Sequence, residues 1–263
     1  MTVYADLLQY RELFGNLFRR DFQAKYKGSA LGIFWSLLNP LILLGVYFVV
    51  FGLLIKNGTT HHYPIYLLAG LSCWIFFSVS LQSSARSMID SAELITKVRF
   101  PRQLVSFSMV AAQAVTFAVM TAILIALSLI FVPEARPTVV LTVPFVLLFA
   151  GFVVGVSLLA ASLNVLFRDI EHILTAALLP WFFLTPIVWD IGSLATAQRH
   201  PHLRDALRWG NPVTPPIYAF RDALWRGHIR IADVVYLIVA SVVALVLGAL
   251  VFRSVDDQIA VAL

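Results

Sequence analysis

Four residues able to hold an anion stand together just ahead of the first long apolar stretch. They are Arg20, Lys25, Tyr26 and Lys27, and Gly28 follows at once. No charged side chain then occurs until Lys56. Guanidinium, ammonium and phenol groups at the mouth of a hydrophobic segment can grip phosphate oxygens through charge and hydrogen bonds. Anionic lipid headgroups would be held in the same way, at about 1 kcal/mol per basic residue near the surface. The cluster reads as the point where a helix lying in the membrane interface turns into a spanning one.

Other chemistry is sparse. The sequence has no G-x-x-x-x-G-K-[ST] loop, so it does not cradle the phosphates of ATP by itself. His61 and His62 are adjacent, their rings do not converge as an i, i+4 pair would, and no metal site is expected. The single cysteine, Cys73, has no intrachain disulfide partner and reads as a packing residue. Asp169 and Glu171 are the acidic candidates for an enzyme acting on lipid-linked sugars, yet no histidine stands in clear register with them. No catalytic residue is expected.

The chain has 263 residues, of which 60% are hydrophobic and 13% charged, with a mean hydropathy of +0.87. Soluble domains carry roughly 45–50% apolar and about 25% charged residues. Lipid is therefore the expected solvent for most of this surface. Charge-free runs at 28–55, 63–85, 103–133, 137–167, 173–189 and 234–252 predict six transmembrane helices, an all-α membrane protein. The fifth run is short and holds Pro180 and Pro186, so a kinked or re-entrant segment is expected there. A net charge of +5, concentrated beside the spans, points to membrane topology rather than to nucleic acid. Arg11, Arg19, Arg20, Lys25 and Lys27 lie before the first span, and Arg86, Lys97, Arg99 and Arg102 lie after the second. This bias places both termini in the cytoplasm, although six arginines between Arg199 and Arg230 run against the trend. The opening MTVYADLLQYRELF has early acids and no uninterrupted apolar core, and is not expected to be a secretory signal.

No Asp, Glu, Lys, Arg or His falls inside the six runs. A charge at the bilayer centre costs roughly 2.5–3.5 kcal/mol on insertion scales and is kept there when it works, as in proton relays. Their absence argues against a proton-coupled carrier or a voltage sensor. Polar residues do punctuate the runs: Ser36, Asn39, Ser72, Ser78, Ser80, Gln82, Gln113, Thr116 and Asn164. They read either as interhelical hydrogen bonding or as a partly polar conduit.

The elements that must position the basic cluster can be read from periodicity. Val3, Leu7, Tyr10, Phe14 and Leu17 recur every three or four residues, which predicts an amphipathic helix at the membrane interface over 2–27. The spans over 28–263 form the second unit. Between spans two and three, RSMIDSAELITKVRFPR predicts a short helix over 87–97, capped by Ser87 and Asp90 and stopped ahead of Pro101. Met88, Ala92 and Ile95 share one face, and Glu93 can pair with Lys97. A rigid helix where a slack connector would serve suggests a docking element.

Four motifs bear a resemblance to a known family: RDFQAKYKGSALGIFWSLLNPL at Arg20–Leu41, ELITKVRFPRQL at Glu93–Leu104, LNVLFRDI at Leu163–Ile170 and FFLTPIVW at Phe182–Trp189. Together they resemble the permease subunits of type-2 ABC exporters for polysaccharides, the O-antigen and teichoic-acid exporters, and the likeness covers nearly the whole chain. The resemblance implies a homodimer in the bacterial cytoplasmic (inner) membrane, joined to two separate ATPase subunits that bind ATP and Mg. It implies a glycan linked to undecaprenyl diphosphate as substrate, with Arg20, Lys25, Tyr26 and Lys27 at its headgroup. The coupling helix then comprises Ser87, Met88, Ala92, Glu93, Ile95 and Lys97. Aromatics such as Trp35, Tyr47, Trp74 and Phe77 would line the channel. Short helices between spans five and six would form an outer gate with Phe183, Pro186, Trp189, Pro212 and Pro215. A permease for teichoic acid, another cell-wall glycan, a lipid or a drug is the alternative.

Overall fold

Backbone polar groups in lipid must be satisfied within their own segment, and this favours helices wherever apolar residues run without interruption. A computed structural model describes residues 3–4, 6–29, 32, 34–54, 62–98, 100–193 and 199–262. Every regular element among them is helical. Lys56, Thr60, His61, Arg99 and Gln198 lie outside the described residues.

The N-terminal arm is broken where one helix was expected. Helix α1 spans Asp6–Gln9 and α2 spans Arg11–Tyr26, with Tyr10 at the break. Of the expected apolar stripe, Val3 and Leu17 are buried and Tyr10 is exposed. The stripe packs on protein rather than on headgroups alone. Gly28 ends the arm in the left-handed region (φ 78°), where a side chain would be strained.

The first apolar run carries a helix among its described residues. Helix α3 covers Phe34–Tyr47 with Pro40 inside it, and wider π-type turns carry it through Phe48–Leu54. Helices α4 (Tyr63–Asp90), α6 (Gln103–Phe131), α7 (Thr142–Leu166) and α11 (Ile231–Ala262) are long. They supply four segments long and apolar enough to cross a bilayer, the one in α7 beginning at Val139 and the one in α11 ending at Asp256. Helix α5 is Ala92–Lys97.

The fifth run departs furthest from its expected bounds of 173–189. Helix α8 starts earlier, at Asp169, and stops at Leu184 after 16 residues. At 1.5 Å per residue it reaches about 24 Å, short of a hydrocarbon core of about 30 Å. It tolerates Pro180, because the first break comes at Thr185 (ψ 131°), extended ahead of Pro186. The chain then runs without helix through 185–189. After α9 (Pro201–Trp209), α10 (Thr214–Arg221) turns back inward, and a π turn at Asp222–Arg226 leads out to α11.

Helix α4 is the buried centre, enclosed by α3, α6, α7, α8 and α10. Helices α7 and α11 make the closest pair: a Cβ on Gly155 would overlap the Ala244 carbonyl, and one on Gly248 would overlap the Gly155 oxygen. The outer face of α11 shows Val235, Val239, Val242, Val246 and Leu250, as a lipid-facing helix should. A second core gathers both ends of the chain at one end of the bundle, where Val3 and Leu17 meet Met88, Ile95, Phe107, Val165, Phe252 and Val255. We call this the near end, and that of α9 and α10 the far end.

Candidate functional site

Where α2 meets the bundle, a cavity of about 660 Å³ opens between the end of α2, the glycine turn, α3, α4 and α6. Lys25, Tyr26 and Lys27 stand on its rim. The Lys25 ammonium donates to Gln113 Oε1 at 2.6 Å and Thr116 Oγ1 at 3.1 Å and lies 5.4 Å from the centre of the Tyr26 ring. The Tyr26 hydroxyl is 3.4 Å from the same threonine oxygen. Neutral groups hold the cation in place, so its charge stays available to an incoming anion. Asn39 and Ser72 add polar atoms, and Trp35 and Phe76 add ring surface. Four of the polar residues that punctuate the apolar runs, Asn39, Ser72, Gln113 and Thr116, thus meet in one place.

Arg20 does not join them. It pairs with Asp21 at 2.7 Å and reaches Ser91 at 3.4 Å. Asp21 also accepts from Ser108 at 2.5 Å, which fastens α2 to α6. The fourth residue of the basic cluster is therefore part of the arm's anchor. Deeper in the same anchor the Tyr4 hydroxyl donates to the Leu245 carbonyl at 2.6 Å, and burial pushes its pKa up to about 12.

The loop between α4 and α6 corrects the expected capping box. Ser87 and Met88 belong to α4, both fully buried. The Ser87 hydroxyl bonds back to the Ser84 carbonyl at 2.7 Å instead of capping a new helix. The chain kinks at Ser91, and only Ala92–Lys97 forms the separate helix. Ile95 faces the second core, while Glu93, Thr96 and Lys97 face out. Below this kink Asn164 ties three helices together: its amide donates to the Ala85 carbonyl at 2.9 Å and its oxygen accepts from the Glu171 N–H at 3.0 Å. Arg86 pairs with Glu171 at 3.0 Å.

The aromatics divide between inside and outside. Trp74 is buried and meets Phe182 edge-on at 5.7 Å, and Phe77 meets Trp181 at 5.3 Å. Both pack inside the single chain. Tyr47 stacks on Phe182 at 5.6 Å. Trp35 is exposed on the cavity rim.

At the far end the expected gate residues Pro186 and Pro215 are buried, Phe183 is exposed, and Trp189 and Pro212 are half-buried. The Trp189 indole donates to the Phe183 carbonyl at 3.1 Å across the break in α8. Of the six arginines that run against the charge bias, Arg208, Arg221 and Arg226 have partners here. Arg208 grips Asp233 at 2.8 and 2.6 Å, and Arg226 lies 3.4 Å from Asp222 and 3.8 Å from Asp190. Arg221 is buried among carbonyls.

Residues 12–225 match the model of the ABC-2 type transporter family of membrane proteins. The chain belongs to this family. It is 29% identical over 256 residues to the O-antigen export system permease protein RfbA of Myxococcus xanthus, covering 97% of this chain and 96% of that one. It is 27% identical over 244 residues to the O-antigen export system permease protein RfbA of Klebsiella pneumoniae, covering 92% and 91%. As a member of the ABC-2 family the chain is the membrane subunit of a transporter, and the cavity beneath Lys25 is lined by polar side chains from three of its helices. Two residues that position this permease's elements, Asp21 and Arg221, were not singled out from sequence. Each looks like one more charge in a charged loop until its neighbours are known.

Proposed function

We propose that this permease exports a polysaccharide built on a lipid diphosphate, of the O-antigen kind, driven by ATP hydrolysis on a separate partner subunit. Two copies form the working unit in the cytoplasmic membrane of a bacterium. Six passes are completed by α3 and by α8 with the non-helical residues after it, and the near end with both termini faces the cytoplasm. The observation that carries this reading is the cavity of about 660 Å³ rimmed by Lys25, Tyr26 and Lys27. Its rim offers cations for a diphosphate. Its wall offers amide and hydroxyl groups for sugar hydroxyls and ring faces for sugar C–H surfaces. It lies where the end of α2 meets α3, α4 and α6. The similarity to two O-antigen export permeases supports the same substrate class.

The test is reconstitution with the partner ATPase in proteoliposomes. A lipid-diphosphate oligosaccharide should stimulate ATP hydrolysis. Lys25→Gln with Lys27→Gln should raise the concentration needed about tenfold, a loss of about 1.4 kcal/mol. Stimulation by lipids or drugs but by no lipid-linked glycan would replace this reading with the alternative one.

A further inference from the structure

Arg221 is 1% exposed, yet its guanidinium meets backbone oxygens from two other elements. Nε donates to the Tyr66 carbonyl of α4 at 3.0 Å. Nη1 donates to the Pro186 carbonyl at 2.5 Å and Nη2 to the Ile187 carbonyl at 2.6 Å, both in the non-helical residues after α8. Its carbon lies 3.7 Å from the centre of the Tyr66 ring, a cation–π contact. Gly70 completes the fit, because a Cβ there would overlap the guanidinium. A buried cation is costly unless fully bonded, and these three carbonyls supply that bonding.

Tyrosines of α4 reinforce the same joint. The Tyr63 hydroxyl donates to the Val188 carbonyl at 2.7 Å and the Tyr66 hydroxyl to the Trp189 carbonyl at 2.9 Å. The other end of α4 carries the kink at Ser91 and helix α5. There Asn164 and the Arg86–Glu171 pair join α4 to the start of α8. Helices α4 and α8 are thus braced together at both ends, with α5 below and the hairpin of α10 above. The hairpin is also tied to Asp190 by the Tyr218 hydroxyl at 2.8 Å and by Arg226 at 3.8 Å, and on its other side by neutral hydroxyl bonds, Ser128 to the Leu224 carbonyl at 2.6 Å and Thr138 to the Ala223 carbonyl at 2.8 Å.

We propose that Arg221 is the positioning residue that locks the far-end hairpin to α4 and α8, so that a displacement of α5 at the near end reaches the far end of the export path as a rigid-body movement. The buried α4 is the rod, and Arg221 is its rigid joint to the hairpin. The inference rests on the export reading above for what the movement accomplishes, but the brace itself is a property of the chain.

The experiment uses the full permease with its ATPase in nanodiscs and proteoliposomes. In the wild type, trapping the ATPase with nucleotide and vanadate should change amide hydrogen exchange at 186–189 and 214–226 in step with 63–70. Arg221→Lys keeps the charge but loses the fork, and Gly70→Ser displaces the guanidinium from the α4 side. Each should raise exchange in the hairpin at least tenfold and cut glycan exported per ATP at least tenfold, with hydrolysis within twofold of wild type. The double variant should be no worse than the stronger single one, because both break the same joint. Ser128→Ala with Thr138→Ala is the control, loosening the hairpin while leaving export per ATP unchanged. The proposal is overturned if the hairpin of the trapped wild type does not respond together with α4. It is overturned equally if the two variants act additively or if export per ATP survives in both. A wild type that exports no glycan refutes the proposed function alone, since the exchange measurement still decides the brace.

Discussion

Lys25 and Arg221 are both cations at the margin of the membrane-crossing bundle, and their surroundings are opposite. Arg221 is buried, stacked on Tyr66 and bonded to three backbone carbonyls. Lys25 sits at an open rim, held by an amide and a hydroxyl that carry no charge. A cation whose donors are met by fixed carbonyls has little left to offer a ligand, and serves architecture. A cation oriented by neutral partners keeps its charge for something that arrives later. The distinction lies in what surrounds the charge.

Removing the two charges should expose that difference. Arg221→Met strands the Pro186 and Ile187 carbonyls, each buried acceptor costing about 1–3 kcal/mol. The protein should lose several kcal/mol, seen as a large fall in thermal unfolding temperature in detergent. Lys25→Met removes a half-wet ammonium and should cost at most about 1 kcal/mol. Similar losses for the two variants would erase the contrast between a structural and a functional cation.

Acidity sharpens the far-end side of the comparison. Asp222 is buried beside Arg221 in sequence, and neither of its carboxylate oxygens accepts a hydrogen bond. Burial, opposed by the nearby Arg226 guanidinium, lifts its pKa from 3.8 to about 6. The folded protein therefore holds this proton more tightly than the unfolded chain. The stabilisation is complete below about pH 3.8 and is lost as pH rises through about 6. At about 1.4 kcal/mol per pH unit, the window is worth at most about 3 kcal/mol. Protection of the α10 hairpin amides, with exchange rates corrected for the intrinsic pH dependence of amide exchange, should be greater at pH 5 than at pH 7.5, and Asp222→Asn should flatten the difference. An unchanged pH dependence in that variant would assign the effect to another group.

Much of this was legible in the sequence, and the reasons differ by element. The long runs of α4, α6, α7 and α11 were readable because lipid demands an unbroken apolar helix. The fifth run was flagged as irregular by Pro180 and Pro186, but only Pro186 breaks the helix. An internal proline is tolerated when neighbouring helices and turns absorb the lost bond. Lys25, Tyr26 and Lys27 could be grouped because they are sequential. Their partners Gln113 and Thr116 stood out as polar residues in an apolar run, with nothing to show that they face the same cavity. The role of Arg221 was unreadable, since its bonds are to main-chain oxygens at positions 66, 186 and 187, which no side-chain pattern marks.

The smallest expected effect concerns α5, and it corrects the obvious experiment. Ile95 looks like a docking residue in sequence, yet it is buried against Met88 and Leu17 in the second core. An Ile95→Asp protein would fail through a desolvated charge in that core and would say nothing about docking. The outward face is Glu93, Thr96 and Lys97, and the Glu93–Lys97 pair at 3.4 Å is almost wholly solvated. Exposed i, i+4 pairs contribute about 0.3–0.5 kcal/mol, so Glu93→Lys should leave thermal unfolding nearly unmoved. If α5 is the surface that meets the ATPase, the same change should weaken assembly several-fold, and more so at low salt, because charges at the rim of an interface act through complementarity. Titration of the ATPase onto nanodisc-held permease at two ionic strengths reads this directly. Equal affinity for Glu93→Lys and wild type at both salts would move the docking surface away from this face of α5.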